Sequence, residues 1–358
     1  LGEKENMMNS LQTFVGIAKT SPVYYDGAFL LAKINESRNP SESAGVFEEV
    51  RANTKDRKLK IQASIELGRI YVIQGESSKA VRILEEFKSE EEGETGKQLQ
   101  FELGTAYMSA NMLNKAADLF SRMLEIYQYE QDVDRIQFLL SVVDLKRGDA
   151  QKAAEGFRRI KEINPFSRYI GESQYYIAAA HFDQGDFSQA IKYCEKYLSG
   201  QSPEKKYEAI VLQMRAYLKI GDFRKAERIV STLMYKYSDK LGVDMYLYEF
   251  VSKSYDAKRD PKQVENFILK NYPESDSAAN IYLFKGDLEY ESKNWKKAEI
   301  NYSAALHIKG NDNLPGVFLK KSLCAFNQGD YEGVVRFLTT EKMNSFSKDV
   351  SIRIVVLL

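Results

Sequence analysis

The sequence predicts an all-α protein, built as a solenoid of stacked antiparallel helix pairs. Two observations carry this prediction. Proline is scarce, at 7 of 358 residues, and one six-residue phrase recurs nine times with a period near 36. A proline inside a helix costs about 3 kcal/mol, so the long proline-free stretches favour helices. A fixed period of this length is typical of repeat arrays, in which each unit packs only on its neighbours.

The recurring phrase predicts a tight turn between two helices. A clear copy runs Gly221-Asp-Phe-Arg-Lys-Ala226, and the nine copies begin at residues 39, 75, 111, 148, 185, 221, 259, 293 and 329. Gly or Asn opens seven copies, as expected where a helix ends in a left-handed residue. Asp or Asn follows in six, suited to accept hydrogen bonds from the free N–H groups of the next helix.

The last residue of the phrase predicts a close crossing of the two helices. It is Ala in seven copies and Val in two, where a larger side chain would overpack. Enlarging Ala153 or Ala190 to Leu should therefore cost roughly 1–3 kcal/mol.

A second pattern lies at fixed offsets from the phrase and identifies a known repeat. Leu67-Gly68 with Tyr71 and Leu103-Gly104 with Tyr107 precede it, and Phe120 and Phe157 follow the alanine by four residues. These offsets resemble the tetratricopeptide repeat. The resemblance covers nearly the whole chain and implies a right-handed superhelix whose first helices line a concave groove.

The repeats predict one solenoid domain over residues 1–358. We expect residues 1–24 to carry a helix of a preceding repeat and residues 351–358 to begin a further helix, so that the sequence is a fragment of a longer chain. The predicted repeats start near residues 25, 61, 97, 134, 171, 207, 245, 279 and 315.

Composition excludes several classes of function. Lys plus Arg and Asp plus Glu are both 51, and this balance argues against a nucleic-acid partner. The two Cys lie 130 residues apart, which is not the close ligand spacing of a zinc site, and both His181 and His307 fit structural places in the repeat. No apolar run approaches the roughly 20 residues that span a bilayer. We therefore expect no enzyme activity and no catalytic, cofactor or metal site.

The resemblance implies that function lies in the groove, at the fifth, ninth and twelfth places of each repeat. Fifth and twelfth places share a helix face, and here they form an apolar, partly aromatic row suited to a helical or extended apolar segment of a partner protein. Arg69 and Arg215, at ninth places, could pair with acidic residues of such a ligand. The predicted groove residues are Ile65, Arg69, Val72, Phe101, Met108, Phe138, Leu145, Tyr175, Phe182, Val211, Arg215 and Leu218.

The favoured function is a non-enzymatic scaffold for protein–protein interaction within a larger assembly. Two alternatives stay open: a regulatory or substrate-recruiting arm of a larger multidomain enzyme, and a self-assembling structural subunit. Self-association would use uncapped ends, where Ile352, Val355 and Leu358 would present an apolar stripe. Localisation is not decided by the sequence, although the style of the repeats favours a bacterial cell envelope (periplasm) over the cytoplasm.

Overall fold

A computed structural model describes residues 2–88, 93–200, 204–309 and 315–334, and these residues form helices and turns with no strand among them. The predicted all-α solenoid class is therefore confirmed. The chain divides into two compact units, Leu1–Glu204 and Lys205–Leu358.

The first unit contains one leading helix followed by five helix pairs. Its helices are α1 Gly2–Ile17, α2 Tyr24–Asn35, α3 Pro40–Asn53, α4 Arg57–Ile73, α5 Ser77–Glu85, α6 Gly93–Ser109, α7 Leu113–Ile126, α8 Val133–Lys146, α9 Ala150–Ile163, α10 Tyr169–Asp183 and α11 Phe187–Leu198. Each first helix, from α2 onward, packs on the second helix that follows it, and several first helices also pack on the next first helix, as α4 does on α6 and α8 on α10.

The second unit continues the same alternation. Its described helices are α12 Lys206–Lys219, α13 Phe223–Lys236, α14 Val243–Asp256, α15 Lys262–Asn271, α16 Asp276–Glu291, α17 Trp295–Lys309 and α18 Pro315–Asn327. Here α14 packs on both α12 and α16. Each predicted repeat start, in both units, lies within the first five residues of a first helix. Residues 351–358, predicted to begin a further helix, lie outside the described residues, and the extent of the array stays a prediction.

Most turns inside the pairs have the predicted left-handed residue. Backbone φ is positive at the opening residue of seven copies of the phrase, namely Gly75, Asn111, Gly148, Gly185, Gly221, Lys293 and Gly329. In most copies glycine supplies this conformation, which a Cβ disfavours. The following aspartate then caps the second helix at several turns: Asp186 accepts a hydrogen bond from the Gln189 amide at 3.2 Å and Asp222 from the Lys225 amide at 3.1 Å.

Two copies of the phrase depart from the predicted register. The left-handed residue of the seventh pair is Lys258, one place before Arg259, and both Arg259 and Asp260 lie between it and Pro261, the cap of α15. Asn39 is not left-handed: its φ is −142°, since the proline that follows disfavours helical backbone there. Its side chain instead caps α3, accepting a hydrogen bond from the Glu42 amide at 3.3 Å.

The helix crossing inside each pair is close, as the small residues predict. The alanines at positions 80, 116, 153, 190, 226 and 298 are all fully buried. In three pairs a glycine of the first helix also lies against a large side chain of the second. A Cβ built on Gly104 would lie 2.4 Å from Cζ of Phe120, and one built on Gly286 would lie 2.6 Å from Cε1 of Tyr302. The two helices of these pairs therefore approach more closely than any residue other than glycine allows.

Candidate protein-interaction surface

The predicted groove residues all lie on first helices, but they fall in two separate units. Nine belong to α4, α6, α8 and α10 of the first unit, and Val211, Arg215 and Leu218 belong to α12 of the second. They therefore form two sets, one in each unit.

The fifth places of the repeat are mostly buried. Phe101 is 3% exposed and Phe138 is 6% exposed, and Ile65 and Val211 are buried as well, as is Leu218 at a twelfth place. Tyr175 is half-buried. The sequence predicted that a partner could contact these side chains. Because they are buried, a partner can contact them only if the helices repack.

Phe138 shows what buries a fifth-place side chain. Its ring packs against those of Phe157, Tyr169 and Tyr176, with centroids 5.7, 4.9 and 5.5 Å away. Phe157 lies on α9, the second helix of the same pair, and Tyr169 lies at the start of α10, in the next pair. The aromatic residue is thus part of the packing between neighbouring repeats, where offset and edge-to-face contacts stabilise the interior.

The twelfth places of the first unit keep part of their surface open. Val72, Met108, Leu145 and Phe182 are all half-buried, one on each of four successive first helices. Met108 and Leu145 both pack on the core cluster around Phe138. We call these four residues the apolar row. Together with Tyr175, these are the apolar residues of the predicted surface in this unit that solvent, and therefore a partner, reaches.

Both arginines at ninth places already have partners within the chain. Arg69 forms ion pairs with Glu36 at 2.7 Å and with Glu66. Arg215 pairs with Glu249 at 2.9 Å. These arginines were expected to form ion pairs with acidic residues of a ligand. To do so, they would have to break their ion pairs with carboxylates of this chain.

A charged cluster surrounds Arg69 that was not predicted from the sequence. The Glu66 carboxylate is buried and also pairs with Lys33 at 2.8 Å. Burial raises the pKa of Glu102, against the opposing effect of Arg69 and Arg135. The guanidinium of Arg135 lies 4.2 Å from the centroid of the Phe101 ring, a cation–π contact that helps to cover it. The three-residue spacing of Glu66 and Arg69 was the one local signal for this cluster.

His181 lies in a structural environment, as the repeat pattern predicts. Its ring stacks on Tyr193 with centroids 5.5 Å apart, and its Nε2 lies 3.0 Å from a guanidinium nitrogen of Arg158. Burial and then Arg158 lower the pKa of His181, against a smaller opposing effect of Asp186. The imidazole is therefore neutral near pH 7, with Nε2 available to accept a hydrogen bond from Arg158.

Within the described residues, no group of three or more His, Cys, Asp or Glu side chains is arranged to hold a metal ion. Nor does any helix among those residues have the length and hydropathy needed to cross a bilayer.

Helix pairs with a left-handed turn, a capping aspartate and a buried alanine crossing define a helical repeat protein of the tetratricopeptide type. Residues 141–282 match the sequence model of a family described as YfiO, outer membrane lipoprotein. No curated protein gives a significant match.

One solved structure supports the fold. The chain is similar to the apo form of the quorum sensor NprR from B. thuringiensis, with 13% identity over 86% of this chain and 99% of that one, at a TM-score of 0.58. It also aligns with a tetratricopeptide repeat protein from Parabacteroides merdae, with 12% identity over 84% and 98% of the two chains, at a TM-score of 0.48. At such a low sequence identity, the likeness to NprR shows only that the two folds are similar.

Proposed function

We propose that this protein is a non-enzymatic scaffold that binds a helical or extended apolar segment of a partner protein. The observation that carries the proposal is the apolar row of the first unit, in which the same place of four successive repeats holds a half-exposed apolar side chain. Solvent-exposed apolar residues aligned over several repeats are suited to an amphipathic ligand, which buries its apolar face against them.

The buried fifth places support this surface from below. Because Phe138 and its aromatic neighbours are packed in the interior, Met108 and Leu145 rest on a rigid base. A rigid, preformed apolar surface loses little conformational entropy on binding, and this favours affinity. The ligand segment would therefore contact the twelfth places, with the fifth places holding them in position.

A cell-envelope location is part of the proposal. Its support is the match of residues 141–282 to a family described as an outer membrane lipoprotein. Fractionation of the source cells with an antibody against the protein tests it: recovery in the envelope fractions is the expected result, and recovery in the cytoplasmic fraction alone would reject it.

The test of partner binding compares two triple variants in affinity capture from a lysate of the source organism. The first places glutamate in the apolar row, as Met108→Glu, Leu145→Glu and Phe182→Glu. The matched control places glutamate at exposed apolar residues of the same unit that lie outside the row, as Ile126→Glu, Tyr129→Glu and Phe166→Glu. Phe101 and Phe138 are left unchanged, because a carboxylate buried there would unfold the repeat.

The expected result is that the wild-type chain and the control variant retain the same partner and the row variant loses it. Circular dichroism of each variant must show the wild-type helical signal. If the row variant captures the same proteins as the wild type, the apolar row is not the binding surface. If the control variant alone loses the partner, binding belongs to the turns and second helices instead.

A further inference from the structure

Two opposite charges on successive first helices of the first unit are left without a partner. Glu102 lies on α6 and Arg135 lies at the start of α8, and both residues are half-buried. The carboxylate of Glu102 and the guanidinium of Arg135 form no hydrogen bond or ion pair with the residues that the structure describes, nor with each other. Half-buried charges usually have such a partner, so this pair of residues requires an explanation.

Solvent reaches the charged atoms of both residues. Fully enclosed polar atoms without a hydrogen-bond partner occur at other described residues, such as Gln100 and Tyr207, but not at Glu102 or Arg135. Because the oxygens of Glu102 and the guanidinium nitrogens of Arg135 have no partner and yet are not enclosed, a ligand can meet them without any change in the fold.

The Phe101 ring positions the guanidinium of Arg135. The guanidinium lies over the ring, 4.2 Å from its centroid, and the ring itself is buried and fixed. A guanidinium held in this way keeps its N–H groups free to donate two parallel hydrogen bonds to a carboxylate. Arg69 and Arg215 already use their N–H groups in ion pairs within the chain, whereas Arg135 can bind an acidic group without first breaking one.

The ionised form of Glu102 is poorly stabilised by the chain itself. Burial is the main reason that the pKa of Glu102 is raised, and the carboxylates of Glu66 and Glu36 add to this effect, against Arg69 and Arg135. Arg69, the cation on the neighbouring α4, is bound by those same two carboxylates. A cation supplied by a ligand would therefore stabilise a charge that no group of the chain pairs with.

Glu102 adjoins the apolar row on the surface of α6. Glu102, Thr105 and Met108 follow one another at three-residue spacing, so their side chains are neighbours on that surface. Thr105 is half-buried, and its hydroxyl donates a hydrogen bond to the carbonyl of Phe101 at 2.9 Å. Glu102 and Met108 are about 9 Å apart along the helix axis, a distance that about three residues of an extended segment span. One ligand segment can therefore contact both residues.

We propose that the partner segment bound by the apolar row carries a basic side chain that pairs with Glu102 and an acidic side chain that pairs with Arg135. The inference rests on the proposed function, because the segment it describes is the ligand of the apolar row. It narrows that ligand from any apolar segment to an amphipathic one with both charges. A segment whose charges were all of one sign would meet repulsion at one of the two residues.

Peptide selection on the full chain supplies the probes for the test. Random dodecapeptides displayed on phage are selected for binding to the wild type, and the selected sequences are synthesised for measurement of the dissociation constant by fluorescence anisotropy. The site variants are Glu102→Gln and Arg135→Gln. Their matched controls are Glu125→Gln on α7 and Arg82→Gln on α5, which remove exposed charges of second helices in the same unit.

The expected result is that the selected peptides combine apolar residues with one basic and one acidic residue. Replacing the basic residue of a peptide by glutamine should weaken its binding to the wild type about tenfold, as for the loss of one charge-assisted hydrogen bond. The same replacement should barely change binding to Glu102→Gln, because the opposite charge is already gone. The acidic residue should be coupled to Arg135 in the same way, and both control variants should bind as the wild type does.

Melting temperatures separate loss of the site from loss of the fold. Glu102→Gln should melt no lower than the wild type, because it removes a half-buried charge that has no partner in the chain. Weaker binding by a variant that melts like the wild type is then a loss of charge pairing. A clearly lower melting temperature of Glu102→Gln would show that the chain already stabilises this carboxylate, and would count against the proposal.

The row variant, with Met108→Glu, Leu145→Glu and Phe182→Glu, separates this inference from the proposed function. If the peptides lose binding to the row variant but their charges show no coupling to Glu102 or Arg135, the inference is overturned and the proposed function stands. If the charges are coupled to both residues and the row variant binds as the wild type does, the charge pairing is supported and the apolar row is rejected. A selection that yields no binding peptide overturns both.

Discussion

The close contact between Gly104 and Phe120 predicts an unusual effect of adding one methyl group. Gly104 lies in the interior of α6, and Phe120, on α7, is fully buried. A Cβ at residue 104 would lie 2.4 Å from Cζ and 2.6 Å from Cε1 of the ring. The substitution Gly104→Ala therefore forces the ring to turn or the two helices to separate.

The magnitude follows from two opposing contributions. Alanine in place of a helical glycine favours folding by roughly 1 kcal/mol, and overpacking in a filled core opposes folding by roughly 1–3 kcal/mol. Gly45, in the interior of α3, is the matched control, because a Cβ there meets nothing within 4 Å. Gly45→Ala should stabilise the protein, and Gly104→Ala should leave it less stable than Gly45→Ala by about 1–3 kcal/mol.

The assay is urea unfolding followed by circular dichroism, with amide exchange of α3 and α6 as a local readout. A local readout is needed because repeat arrays can unfold in parts. In a Phe120→Leu background the smaller side chain leaves room at residue 104, so Gly104→Ala should become less destabilising there. If Gly104→Ala stabilises the protein as much as Gly45→Ala does, the reasoning about this crossing is refuted.

Three further predictions test other parts of the structure. Ala153→Leu should destabilise the protein by roughly 1–3 kcal/mol in urea unfolding, since Ala153 is fully buried at its helix crossing; an unchanged midpoint would count against a tight crossing. Because the pKa of His181 is lowered in the folded state, its stabilising effect is complete above the unfolded pKa of about 6.5 and is lost as pH falls through the lower folded pKa. The stability of His181→Gln should therefore fall less than that of the wild type on acidification, and equal pH profiles would contradict this. Amide exchange should be fastest at residues 240–275, where α15 buries only three side chains, and uniform protection across the array would reject that weak point.

Much of the fold could be predicted because its signals are local. A left-handed residue, a capping aspartate and a small residue at the crossing lie within six consecutive positions, as in Gly221 to Ala226, and each acts on the backbone beside it. The register failed where that local chemistry changed. In the seventh pair two residues lie between the left-handed Lys258 and the cap Pro261, and in the first pair Asn39 caps α3 instead of being left-handed.

The candidate surface could be predicted only in part. The seven-residue spacing puts the fifth and twelfth places on one face of each first helix, yet the same spacing describes Phe138, which is interior, and Met108, which is half-exposed. The difference arises from the next repeat, whose Tyr169 and Tyr176 cover Phe138. Periodicity within one helix carries no information about which neighbour covers it.

The sequence by itself therefore determined the helix pairs, their turns and their close crossings. The tertiary structure decided which apolar side chains stay open and which charges are already paired. Arg69 meets Glu36, 33 residues earlier, and Arg215 meets Glu249, 34 residues later. The physical reason is that backbone conformation depends mainly on adjacent residues, whereas burial and ion pairing depend on residues one repeat apart that come together only when the helices stack.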